Sequence, residues 1–137
     1  MPNHWLVKTE PSTYSFSALE RDRSTVWDGV TNSLALKHLR AMASGDEVLV
    51  YHTGEEKRVV GIAAVVKGPY PDHKQEDPKL TVVDLAPVRR LPQPVTLAAI
   101  KADPRFKDFA LVRMARLSVM PVTDAQWSWI LEMAATQ

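Results

Sequence analysis

Ser118, His52 and Asp72 could be drawn together as a hydrolytic triad. Acyl transfer needs the serine raised on a strained turn, where its hydroxyl meets base and oxyanion donors together. Ser118 has no G-x-S-x-G around it and lies in Leu117-Ser118-Val119, an alternating strand pattern. The histidines, His4, His38, His52 and His73, show neither H-x-H nor H-x-x-x-H spacing, and cysteine is absent. No thiolate nucleophile and no cysteine-based zinc site is therefore written here. Asp72 and His73 share a loop and read as solvated groups. Neither G-x-x-x-x-G-K-[ST] nor G-x-G-x-x-G occurs, so no phosphate cradle is present. The expectation is a chain that binds a ligand without transforming it, with no cofactor and no resident metal.

The aromatic residues say more. Trp127 and Trp129 fall in the last helical segment and Trp5 in the first strand-like one, where packing explains them. Trp27 stands in Trp27-Asp28-Gly29-Val30-Thr31-Asn32, read as an irregular link just before a helix. An indole there offers a stacking face, and Asn32 offers a donor and an acceptor to a base edge. With equal economy, Trp27 plugs the end of the fold and Asn32 caps the helix. Tyr51 and His52 end a strand and point to opposite faces, so only one faces a given cavity unless a bulge intervenes. Lys8 ends the first strand, either solvated or turned to a pocket. Arg116 and Ser118, two apart, share a face that edges a site or meets water.

The elements that must position these groups are short and mixed. Strands are expected at 4–8, 47–53 and 59–67, at 80–85 with a possible extension over 88–91, and at 117–119. Gly54-Glu55-Glu56-Lys57 is the hairpin turn between the second and third of these, and 69–79 is a loop. Val59 to Val66 is apolar on both faces, hence central, and Gly61, Ala63 and Ala64 permit a close approach. Capping boxes at Ser17/Glu20 and Thr123/Gln126 start helices, Thr96 caps another over 97–102, and 33–42 shows helical spacing. The class is α+β.

The chain has 137 residues, 45% of them hydrophobic, enough for one core and one domain over 1–137. No apolar run reaches membrane-spanning length, and Met1-Pro2-Asn3-His4-Trp5 does not read as a secretory signal. A cytoplasmic location is expected, with no membrane partner. Net charge is +1, too little for an extended basic stripe along a duplex.

Seven segments in order, nearly spanning the chain, resemble the EVE domain family. They are Trp5 to Pro11, Trp27 to Asn32, Met42 to Asp46, Tyr51-His52, Val60 to Ala63, Tyr70-Pro71-Asp72 and Arg116 to Pro121. The resemblance implies a PUA-like fold, a bent β-barrel with flanking helices, similar to the YTH domains that hold methylated adenine in an aromatic cage. It further implies a non-catalytic domain that holds a modified nucleobase of DNA or RNA in an aromatic pocket. Trp27 matches a cage tryptophan. Lys8, Asn32, Tyr51 and His52 fall in segments that line or approach the family's pocket, and Tyr70, Asp72, Arg116 and Ser118 follow less directly. Two departures stand out. Thr31 replaces a frequent arginine, and the stretch after Asp72 lacks a Pro-Arg-Trp run. The rival readings are an enzyme on nucleic acid or nucleotide, with His52 or Asp72 as acid or base, and a peptide-binding module. The oligomeric state is left open.

Overall fold

Apolar β-branched runs that are covered on both sides form the centre of a sheet, and shorter amphipathic pieces form its edges. That pattern holds in the computed structural model, which describes residues 3–135. Its elements are β1 (His4–Thr9), α1 (Phe16–Asp22), β2 (Thr25–Trp27), α2 (Ser33–Ala41), β3 (Glu47–His52), β4 (Arg58–Pro71) and β5 (Thr81–Thr96). They continue with α3 (Leu97–Ala102), a 3-10 turn (Pro104–Phe106), α4 (Ala110–Arg113), β6 (Val119–Val122) and α5 (Asp124–Ala135). The readings that touch Met1 and Pro2, and the ends of the expected 1–137 domain, lie outside the described residues. No helix among the described residues is long and apolar enough to cross a membrane.

The class is α+β, built on one six-stranded sheet of order β2-β5-β4-β3-β1-β6. β1 and β3 run parallel; the other pairs are antiparallel. β2 and β6 end the sheet without pairing to each other, so the expected barrel is not closed by hydrogen bonds. The sheet nevertheless coils. β4 and β5 are long and slip register at several bulges, which bend and twist a strand pair. α2 packs against β4 and β5 and also against β6 at the far edge, so the sheet wraps around it.

Small residues permit the closest contacts. A Cβ built on Gly61 would sit 2.6 Å from the fully buried ring of Phe16 in α1. The close approach expected at Gly61 is therefore made by α1. Gly61→Ala is expected to cost about 1–3 kcal/mol, the usual range for overpacking, read by chemical denaturation. No loss would mean that α1 slides freely.

Local structure departs from the sequence reading in instructive places. Ser15, not Ser17, caps α1, its side chain accepting from the Ala18 amide at 3.0 Å. Ser17 and Glu20 instead engage Arg90, 73 and 70 residues away, so a local signal is spent on a long-range contact. Trp27, read as the start of an irregular link, instead ends β2, a strand recruited by pairing with Val83–Leu85 of β5. Residues 69–71 belong to β4 rather than a loop. β5 is one strand despite Pro87, Pro92 and Pro94. β2 covers only residues 83–85, so the prolines lie where β5 has a free side and needs no ladder donor there. β6 begins at Val119, and Ser118 precedes it. The 3-10 turn and α4 carry too short a pattern to be read, though they bury Phe106 and Leu111. The caps at Thr96 and at Thr123/Gln126 form as read.

Candidate functional site

β2 and β1 are four places apart in the sheet order, which on a flat sheet is about 19 Å at the usual strand spacing. Yet both line one cavity of about 460 Å³. It lies in the seam where the coiled sheet fails to close. β1 contributes Lys8 and Thr9, β2 contributes Thr25, Val26 and Trp27, and Asp28, Gly29 and Val30 form the following rim. Thr13, Tyr14 and Ser118 complete it. This size falls in the range of small-ligand sites.

Trp27 and Tyr14 are its aromatic walls. Their ring centroids are 6.3 Å apart and their planes cross at 81°. The two rings form a corner, so a planar ligand lying flat on one meets the other with its edge. The Tyr14 hydroxyl donates to Asp22 at 2.9 Å, and burial pushes its pKa up. Tyr14 went unread because it stands in a turn-like Pro-Ser-Thr-Tyr-Ser run; its spacing carries no periodic signal. Gly29 adopts φ +77° with open space where a Cβ would stand, which gives the rim a conformation that costs other residues about 1–2 kcal/mol.

Lys8 joins the polar side. Its Nζ donates to the Ala115 carbonyl at 2.9 Å and lies 5.8 Å from the Tyr51 ring centroid. Burial pushes its pKa down. Its backbone amide donates to the Ser118 carbonyl at 2.9 Å, which brings Ser118 to the cavity wall.

The other sequence candidates are distributed around this cavity. Tyr51 lines an adjoining cavity of about 320 Å³ that shares Lys8. Asp72 lines one of about 360 Å³ that shares Asp28, Gly29 and Val30, and its carboxylate accepts from the Lys74 amide. Asn32 and Arg116 share a third neighbour of about 370 Å³. Arg116 and Ser118 thus line different cavities; they precede β6, so strand alternation does not govern them. Tyr51 and His52 also part company, as strand alternation expects: Tyr51 lines the cavity shared with Lys8, and His52 lines a separate one with Glu56 and Arg90.

Asn32 is engaged. Its Oδ1 accepts from the Ala35 amide at 3.0 Å and caps α2. Asn32→Ala is expected to cost about 1 kcal/mol of stability, whereas Asn32→Ser should nearly preserve it. Thermal melting of the two variants checks this; equal losses would contradict the cap.

His52 and Tyr70 stand apart. The His52 Nε2 accepts from the Phe16 amide at 3.0 Å, and its Nδ1 lies 3.0 Å from Glu56 Oε1. An amide N–H only donates, so the proton of this ring sits on Nδ1, facing Glu56. That hydrogen bond draws the Glu56 carboxyl pKa down. The Tyr70 hydroxyl is bonded to Asp84, which pushes its pKa up to about 12, and its ring stacks on His73. No cluster of three metal-ligating side chains occurs among the described residues.

Comparison with known proteins adds the following. A family model described as EVE domain matches residues 3–133. Mouse thymocyte nuclear protein 1 is 30% identical, the match spanning 100% of this chain and 76% of the relative. The solution structure of a Rhodopseudomonas palustris protein is 41% identical, with TM-score 0.92, over 96% of this chain and 92% of that one. The crystal structure of human THYN1 protein in complex with 5-methylcytosine containing DNA is 29% identical, with TM-score 0.93, over 98% and 99%. The cytoplasmic expectation does not stand: the curated relatives are named as nuclear proteins.

Proposed function

We propose that this chain, which belongs to the EVE domain family, binds nucleic acid by holding one modified base, extruded from its strand, in the seam cavity. The carrying observation is that Trp27, Tyr14, Lys8 and Ser118 meet in one small-ligand-sized cavity at the mouth of a coiled sheet. We read that sheet as the PUA-like bent barrel, open along the seam, and the chain as a single domain of this kind. The human relative bound to 5-methylcytosine containing DNA supports DNA and a methylated base as the ligand class.

The energetics fit a pocket-led binder. Flipping a base costs a few kcal/mol, and stacking on one aromatic face returns about 1–3 kcal/mol. Stacking alone therefore breaks even, and affinity must come from the base edge and from excluded water. The rim offers the Thr25 and Ser118 hydroxyls and the Asp28 carboxylate for the edge, and the Lys8 ammonium for the strand's backbone. Val26 and Val30 offer apolar surface to a methyl group. The cavity contains no histidine, and His52 is committed to the Phe16 amide and Glu56. We therefore read the domain as a binder rather than a catalyst.

Burying one methyl group is worth about 0.8 kcal/mol, or roughly fourfold in affinity. Two oligonucleotides identical except for one 5-methyl group, titrated against the protein, should differ by at least about that factor in favour of the methylated one. Equal affinity would overturn the reading.

A further inference from the structure

Net charge hides a local segregation. The chain carries 17 Lys and Arg against 16 Asp and Glu. Yet two neighbouring cavities are lined by five cations and by no carboxylate: Lys8, Lys57 and Lys101 in one, Arg113 and Arg116 in the other. The cavities adjoin in a row. Lys8 lines both the seam cavity and the first of these, and Ala115 lines both the first and the second. Lys57 and Lys101 are exposed, and neither has an ion-pair partner among the described residues. Lys8 spends one of its three donors on Ala115. Arg113 donates to the Lys107 carbonyl and, among the described residues, its one ion pair is with Asp108, itself mostly exposed.

We propose that these cations form a track for the backbone phosphates of the strand whose base occupies the seam cavity, running from Lys8 past Lys57 and Lys101 to Arg113 and Arg116. The proposal rests on the base-pocket reading and extends it. A single strand fits the track, because a base extruded into the seam leaves its own phosphates at the rim, where Lys8 already stands. A polyanion gathers exposed ammonium groups through counterion release, whereas a neutral nucleoside does not feel them. The track is short, so it positions the strand beside the pocket without giving the protein a general grip on duplex.

The test uses the double variant Lys57→Asn/Lys101→Gln. Asparagine suits the φ of +47° at residue 57, and both sites are exposed, so folding should survive. A second variant, Lys37→Gln/Lys67→Gln, removes the same charge from residues that line none of these cavities. The probes are a 5-methylcytosine-containing single-stranded oligonucleotide, titrated at several salt concentrations, and 5-methyl-2′-deoxycytidine, which has no phosphate. The track variant should bind the oligonucleotide more weakly, with a log–log salt slope shallower by about 1.4, two contacts at about 0.7 each. Its nucleoside affinity should match wild type, and the control pair should keep the wild-type slope. Equal slopes for the two double variants would overturn the track and leave the base pocket standing. Loss of nucleoside binding in the track variant would also overturn it, since the lysines would then serve the base. If the wild-type protein binds the oligonucleotide with a normal slope but shows no preference for its methyl group, the base pocket fails instead.

Discussion

Asp46→Ala is expected to lower the unfolding free energy by about 3–5 kcal/mol, near the upper end for a single substitution. Asp46 is 3% exposed, and its carboxylate accepts three N–H groups. Oδ1 takes the Asn3 amide at 3.0 Å; Oδ2 takes the Trp5 indole at 2.9 Å and the Ala43 amide at 3.0 Å. A hydrogen bond to a charged group is worth about 1.5–3 kcal/mol, and each buried donor left behind pays its desolvation in full. Alanine orphans the buried Trp5 indole N–H and takes a charged acceptor from the part-buried Asn3 and Ala43 amides. Asp46→Asn should lose less but still lose, because only one of its two terminal atoms accepts. Urea denaturation of the three proteins gives the order wild type, asparagine, alanine. A loss under about 1 kcal/mol for alanine would mean that water replaces the carboxylate. The consequence reaches the site, because this carboxylate ties the start of β1 to the turn after α2, and the far end of β1 carries Lys8.

Trp27→Leu is expected to weaken ligand binding by about 1–3 kcal/mol, roughly tenfold to a hundredfold, while the fold persists. Leucine keeps apolar bulk in the wall and removes the π face. Alanine is the poorer probe. Trp27 is 8% exposed and Trp127 is 7%, so burial gives the two indoles equal weight in stability. Trp27→Ala should also cost about 3–5 kcal/mol of stability, as for any core tryptophan. Trp27→Phe should fall between wild type and leucine in affinity. Unchanged affinity in a folded Trp27→Leu protein would make Trp27 a plug of the seam and nothing more.

What the sequence disclosed about the fold was local and periodic. The caps at Thr96 and Thr123/Gln126, the helix at 33–41 and the central strands were legible because each signal is short in range. What escaped depends on pairing across the chain. β2 exists because β5 passes beside it, and Ser17 turns from cap to Arg90 partner because β5 brings that guanidinium near. The site follows the same division. Trp27 and Lys8 could be singled out from residue type and the family resemblance, and the fold brings them into one cavity. Tyr14 and the Lys57–Lys101 pair could not, since only the coiling of the sheet gathers them. Asn32 was read both as a base reader and as a cap; the fold commits its oxygen to the cap.

The base pocket can be tested on the chain's own four tryptophans. Each indole N–H gives a separate signal in a nitrogen–proton correlation spectrum, and Trp5 is held by Asp46, away from the seam. During titration with 5-methyl-2′-deoxycytidine, the Trp27 indole signal should move progressively and saturate, while those of Trp5, Trp127 and Trp129 stay in place. A saturating shift at another tryptophan, with Trp27 unmoved, would contradict the account.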